Sequence, residues 1–159
     1  MANTSTYRIL LCIFLAVSFH TAAQTTFTES AASFGLNLNQ NKDGGHAWSD
    51  YDQDGDLDVL VLINSTSVRN YLMRNNGNGT FSEIGWLAGV TNTDWSWGPL
   101  LADFDNDGDP DAFIARSLER SLYLSNDNGI FVDRSGSLVA VDLPFEATSV
   151  SSADFNGDG

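Results

Sequence analysis

The chain has 159 residues, with 21 acidic and seven basic side chains, a formal charge of −14 and a single cysteine. The basic residues (Arg8, Lys42, Arg69, Arg74, Arg116, Arg120 and Arg134) are scattered, so no patch exists to neutralise phosphates, which argues against nucleic acid as a partner. Twelve of the 21 acidic residues fall in three short motifs, so the acidity reads as a local binding signature and not as an acidic tail or a solvated face.

Residues 1–23 read as a signal peptide. Arg8 supplies the positive start, Ile9-Leu10-Leu11-Cys12-Ile13-Phe14-Leu15-Ala16-Val17 the apolar stretch, and Thr21-Ala22-Ala23 the small residues before cleavage at Gln24. The apolar run is short for a bilayer span, and Cys12 lies inside it, not at its end where a lipidated cysteine would stand. The expectation is a secreted, extracellular protein with no membrane insertion after cleavage. Its mature part holds no cysteine, so its stability must come from something other than disulfides.

The mature chain then repeats itself. Asp50-Tyr51-Asp52-Gln53-Asp54-Gly55-Asp56-Leu57-Asp58 returns as Asp103-Phe104-Asp105-Asn106-Asp107-Gly108-Asp109-Pro110-Asp111, and a third copy begins at Asp154-Phe155-Asn156-Gly157-Asp158-Gly159. The first aspartates stand at 50, 103 and 154, spacings of 53 and 51 residues. Gly45 and Gly98 each precede their aspartate by five positions. After each complete motif comes an apolar run, Val59-Leu60-Val61-Leu62-Ile63 and Ala112-Phe113-Ile114-Ala115. A hairpin follows. Its strands are Arg69-Asn70-Tyr71-Leu72-Met73 and Thr80-Phe81-Ser82-Glu83 in the first copy, and Arg120-Ser121-Leu122-Tyr123-Leu124 and Ile130-Phe131-Val132-Asp133 in the second. Their turns, Asn75-Asn76-Gly77-Asn78-Gly79 and Asn126-Asp127-Asn128-Gly129, tolerate positive φ. Leu87-Ala88-Gly89-Val90 leads to the strand Trp97-Gly98-Pro99-Leu100-Leu101, which runs into the second motif. Thr26-Phe27-Thr28-Glu29 repeats the last-strand pattern and predicts the final strand of an incomplete unit. Ser117-Leu118-Glu119-Arg120 has some helical character, which the repeat alignment overrides.

Four short strands per unit of about fifty residues predict an all-β fold of β-propeller blades, each of about four antiparallel strands, in preference to a sandwich or a solenoid. Residues 24–159 hold about 2.6 such units, fewer than the four to eight that close a propeller. The chain is expected to be the N-terminal piece of a longer protein, ending inside the third motif.

Carboxylates at this density repel one another by roughly 4 kcal/mol per pair at about 4 Å in a partly screened setting. A compact loop of this kind needs a cation, and oxygen-only donors select Ca²⁺ before Mg²⁺. In Asp-x-Asp-x-Asp-Gly-x-x-Asp, positions 1, 3, 5 and 9 offer carboxylates, position 7 a backbone carbonyl, and Gly at position 6 permits the turn. The predicted ligands are Asp50, Asp52, Asp54 and Asp58 with the Asp56 carbonyl, then Asp103, Asp105, Asp107 and Asp111 with the Asp109 carbonyl. Asp154, Asn156 and Asp158 begin a third, truncated site. The side chains of Asp56 and Asp109 are expected to face solvent. An EF-hand is rejected, because it requires Glu at position 12 and flanking helices, whereas Val61 or Ile114 stands there among strands. The ion's expected role is structural; catalysis would want an open coordination position beside an acid or base, for which the sequence offers no sign.

These loops, each followed by an apolar strand, resemble the FG-GAP/VCBS repeats of integrin-α-type propellers. The phrasing between them, Asn75-Asn76-Gly77-Asn78-Gly79-Thr80-Phe81 and Phe81-Ser82-Glu83 before Leu87-Ala88-Gly89-Val90, is similar to that of the cartilage acidic protein and ASPIC/UnbV group. The resemblance covers residues 24–159. It implies a secreted, calcium-binding, seven-bladed propeller with the ion in the loop joining a blade's first two strands, and a role in adhesion or extracellular recognition of a protein or glycan. The competing reading is a non-catalytic or carbohydrate-binding region of a larger secreted lyase or hydrolase. His46, the one histidine of the mature chain, is read as loop or strand filler instead of a catalytic base. Trp86, Trp95 and Trp97 are read as packing aromatics, with a sugar-stacking platform as the alternative. Asn64 and Asn78 stand in glycosylation sequons.

Overall fold

The computed structural model describes residues 27–38, 43–137 and 147–154. The signal segment 1–23, Asn156 and Asp158 lie outside the described residues. Among the described residues, eight strands form two four-stranded antiparallel sheets, each in simple sequence order. The first is β1 (Asp43–Ser49), β2 (Asp58–Ile63), β3 (Tyr71–Asn75) and β4 (Phe81–Glu83). The second is β5 (Ser96–Ala102), β6 (Asp111–Arg116), β7 (Leu122–Asp127) and β8 (Ile130–Asp133). These are the expected blades: an all-β meander repeated.

Apolar β-branched and leucine side chains make β2 a strand that can be covered on both faces, and five of its six residues are buried. Leu60 pairs with Leu72 and Val59 with Met73 across β2–β3, as Ile114 pairs with Leu122 and Ala112 with Leu124 across β6–β7. Leu60, Leu62 and Leu72 of the first blade share one core with Ala112, Ile114, Leu122, Leu124 and Phe131 of the second. Ala88 and Val90, from the connection between the blades, join the same core. Burying a leucine of this kind contributes about 1.5–3 kcal/mol, so each blade is stabilised mainly by its neighbour's face.

The connection itself docks on the following blade: Phe131 N–H of β8 donates to Ala88 C=O at 2.7 Å. Residues 27–30 adopt no strand, contrary to the expectation for Thr26-Phe27-Thr28-Glu29, and Phe27 is almost wholly exposed. An extended segment without a paired neighbour leaves its backbone groups to water, and the chain turns at once into a 3₁₀ helix, Ala31–Phe34, ended by left-handed Gly35. Gly35 lies against the Phe81 carbonyl as Gly89 lies against that of Phe131, so this segment holds the place on blade one that 84–90 holds on blade two. Residues 117–119 form a bend, with Leu118 at φ +67°, and not a helix. Asn78 serves its turn: Oδ1 accepts from Thr80 N–H at 3.0 Å and Thr80 Oγ1 at 2.6 Å.

The glycine five residues before each complete motif has a packing reason. A Cβ on Gly45 would stand 2.4 Å from Trp97 O and 2.5 Å from Pro99 Cδ of β5, and one on Gly98 would stand 2.8 Å from Ser149 Cα. β1 runs close against β5, and β5 at Gly98 close against residues 148–150, so only a bare backbone fits at either glycine. Replacing Gly45 by Ala is therefore expected to lower stability in urea unfolding by about 1–3 kcal/mol through overpacking. Gly136→Ala, where a Cβ meets open space, should change it by no more than about 0.5 kcal/mol.

Candidate metal centres

Each nine-residue motif is the connection between the first two strands of a blade. Ser49 pairs with Asp58 and Ala102 with Asp111, closing the loops at identical registers. Position 1 organises the turn: Asp50 Oδ1 accepts from Asp54 N–H at 3.0 Å and Oδ2 from Gly55 N–H at 2.9 Å. Asp103 does the same with Asp107 N–H at 3.2 Å and Gly108 N–H at 2.9 Å. The backbone is left-handed twice per loop, at Gly55 and Gly108 as position 6 requires, and also at Gln53 (φ +58°) and Asn106 (φ +63°).

Position 9 is the anchor. Asp58 and Asp111 are the only fully buried carboxylates among the described residues. Asp58 accepts from Tyr51 N–H at 3.2 Å and Asn75 N–H at 2.7 Å, tying the loop to the end of β3. Asp111 accepts from Phe104 N–H at 2.9 Å, Asn126 N–H at 2.8 Å and the Tyr123 hydroxyl at 3.1 Å.

The loops bring together positions 1, 3 and 9. Asp50, Asp52 and Asp58 each offer an oxygen within 4.8 Å of the others, and so do Asp103, Asp105 and Asp111. Asp54 and Asp107 stand outside these trios, each with Oδ1 accepting the N–H of position 7, at 3.0 Å from Asp56 and 2.9 Å from Asp109. Asp56 and Asp109 do not turn to solvent as expected. Both are half-buried, because the turn between the third and fourth strands lies beside them: Asp56 Oδ2 reaches Gly77, and Asp109 Oδ2 accepts from Asn128 N–H at 2.9 Å. Asp154 is exposed.

Burial, then the neighbouring Asp54 charge, raises the pKa of Asp52; that of exposed Asp105 is raised by partial desolvation and then by the nearby Asp111 and Asp107 charges. Asp58 is pushed up to about 6 by burial, against its two backbone donors, with Asp52 and Asp54 adding to the rise. Tyr51 and Tyr123 are pushed up to about 12 by burial and by the adjacent carboxylates, so both stay neutral beside the acidic groups. Asp52 Oδ1 is shielded from solvent and accepts no hydrogen bond. An oxygen left this way within a set of like charges fits a hard cation, and the donor set is oxygen alone. Either trio can therefore hold a metal ion.

Residues 50–114, from the first ligand of loop one into β6, match the FG-GAP-like repeat family. The match covers one whole period of the repeat, from one acidic loop through the next, and leaves out β1. No curated protein matches the chain. The FG-GAP-like match agrees with the blade architecture and with the acidic hairpin at its start.

Sequence reasoning passed over position 4 of the loops. Its three occupants, Gln53, Asn106 and Gly157, include the two residue types that visit the left-handed region most readily, and that signal was legible. Of the tryptophans, Trp97 is tied down through Nε1–H to Ser117 Oγ at 2.6 Å, whereas Trp86 and Trp95 are 67% and 44% exposed. His46 is exposed in β1.

Because the folded pKa of Asp58 exceeds its ordinary value near 3.8, its contribution to stability is fully present below about pH 4 and is lost as pH rises through about 6. In chelator-treated protein, the thermal midpoint of wild type should fall across this window more steeply than that of Asp58→Asn. Parallel curves for the two proteins would show that Asp58 is not the group responsible.

Proposed function

We propose that this chain is a secreted, calcium-binding β-propeller module that serves as a non-catalytic extracellular interaction or adhesion scaffold, akin to the integrin-α-type and ASPIC/UnbV repeats it resembles. One observation carries the reading. Two loops 53 residues apart place the same three carboxylates, at positions 1, 3 and 9, within 4.8 Å of one another at the same strand junction. Calcium suits such a site because it accepts six to eight oxygens at variable angles. The carbonyls of Asp56 and Asp109, with Asp54 and Asp107 close by, would complete the shell. The ion's role is to neutralise the trio and hold the first two strands of a blade together, which leaves the far end of the blades free to present loops to a protein or glycan. No described helix is long and apolar enough to cross a membrane.

A second reading, a carbohydrate-binding region of a larger secreted enzyme, draws on a cavity of about 220 Å³ at the end of the blades away from the acidic loops. Trp95 offers it an exposed aromatic face, with Asp94 and Glu119 as hydrogen-bond acceptors for hydroxyl groups. Retention on an immobilised glycan that Trp95→Ala abolishes would favour this reading over a protein partner.

The calcium reading is tested by thermal melts in chelator and in CaCl₂. At free calcium about ten times the dissociation constant, each independent site should add about 1.4 kcal/mol. Asp52→Ala combined with Asp105→Ala should remove most of the rise in midpoint. A wild-type midpoint that does not move between chelator and millimolar calcium would sink the proposal.

A further inference from the structure

Two side-chain amides, on residues that the metal loops do not need as ligands, connect the loops to each other. Gln53 stands at position 4 of loop one in the left-handed conformation. Its Nε2 donates to Gly108 C=O at 2.8 Å and to Asp109 Oδ1, at positions 6 and 7 of loop two. Asn126, fully buried at the end of β7, works in the other direction. Its Nδ2 donates to Tyr51 C=O of loop one at 2.8 Å and to Pro110 C=O of loop two at 3.1 Å. Tyr51 in turn stacks on Phe131 of the second blade, with ring centroids 6.0 Å apart and planes at 26°.

A continuous path results. Asp58 Oδ2 accepts from Tyr51 N–H, Tyr51 C=O accepts from Asn126 Nδ2, and Asn126 N–H donates to Asp111 Oδ1. The anchoring carboxylates of the two trios are thus joined through three hydrogen bonds and two residues. The Gln53 bridge lies parallel to this path on the exposed side. Drawing one trio around an ion fixes the backbone of its loop, and these bridges hold the neighbouring loop in the same arrangement before it binds.

We infer that the two loops form one coupled cation-binding unit, in which occupation of either raises the affinity of the other, with Gln53 and Asn126 as the positioning residues that transmit the effect. This rests on the calcium reading above and adds to it the dependence of one site on the next. Ordering that one ligand has already imposed is ordering the second need not supply, which is the physical source of positive coupling. Linkage requires the factor to be the same in both directions.

The test is calorimetric titration of the full chain with CaCl₂. Wild type should bind two ions with a Hill coefficient above one. Asp103→Asn with Asp105→Asn should lower the affinity of loop one by about fivefold or more, the lower end of usual coupling energies, and Asp50→Asn with Asp52→Asn should lower that of loop two by the same factor. Gln53→Ala, an exposed change that removes no carboxylate, should bring the Hill coefficient toward one while two ions still bind. Should the double variants fail to fold, the comparison of wild type with Gln53→Ala decides alone. Two ions bound independently in wild type, or an unchanged Hill coefficient in Gln53→Ala, would overturn the coupling and leave the calcium reading standing. No calcium bound at millimolar concentration would overturn both.

Discussion

Crowded like charge at a strand junction is the constraint on which this molecule turns. A hairpin of nine residues carrying five carboxylates repels itself by several kcal/mol unless each group finds a donor or shares a cation. Part of the answer lies in the chain. Position 1 accepts the backbone N–H groups of the turn, position 9 accepts those of position 2 and of the third strand, and position 7 leans on the neighbouring turn. What these bonds leave over is concentrated in one place, the trio at positions 1, 3 and 9, where Asp52 Oδ1 stands shielded and without a donor. The loop is thus half built by its own backbone, and the trio left over could hold a metal ion.

The same junction organises the blade. Buried Asp58 and Asp111 sit where β2 and β6 begin, so the acidic loop is welded to the third strand through Asn75 and Asn126 and not merely to its flanking pair. Beyond it the apolar strands need a second blade to cover them, and the shared core from Leu60 to Phe131 shows the blades doing this for one another. Where their first strands converge, glycine is required because Trp97 and Pro99 leave no room for a side chain. Charge management at one end and close backbone packing along the first strands are therefore two requirements on one repeat, which explains why its glycine and its aspartates recur together.

The points at which expectation and structure part are informative. Asp56 and Asp109 read as solvent-facing because position 7 of such a loop offers its backbone carbonyl; the adjacent turn, set by strand pairing, draws their side chains back. Thr26-Phe27-Thr28-Glu29 has the residues of a last strand, but a strand is made by its partner, and residues 27–30 have none among the described residues. Leu118 sits in a stretch with helical character and is instead left-handed, because the connection between β6 and β7 must reverse the chain within a few residues.

The number of strands per blade, the repeat period, the position of the acidic hairpins and the candidate ligand types were all legible in the residues alone. Each depends on local pattern: alternation and apolar runs, turn residues, and carboxylates at fixed offsets. Which three of the five carboxylates converge, and how one loop touches the next, were not. Gln53 and Asp109 are 56 residues apart and Asn126 and Tyr51 are 75. Such a pair leaves no periodic trace in the chain, since its two members meet only after two separately formed sheets have packed. Composition and spacing determined what each blade is and which carboxylates it carries; tertiary packing decided which groups face one another, because a hydrogen bond depends on position in space and local sequence does not specify that.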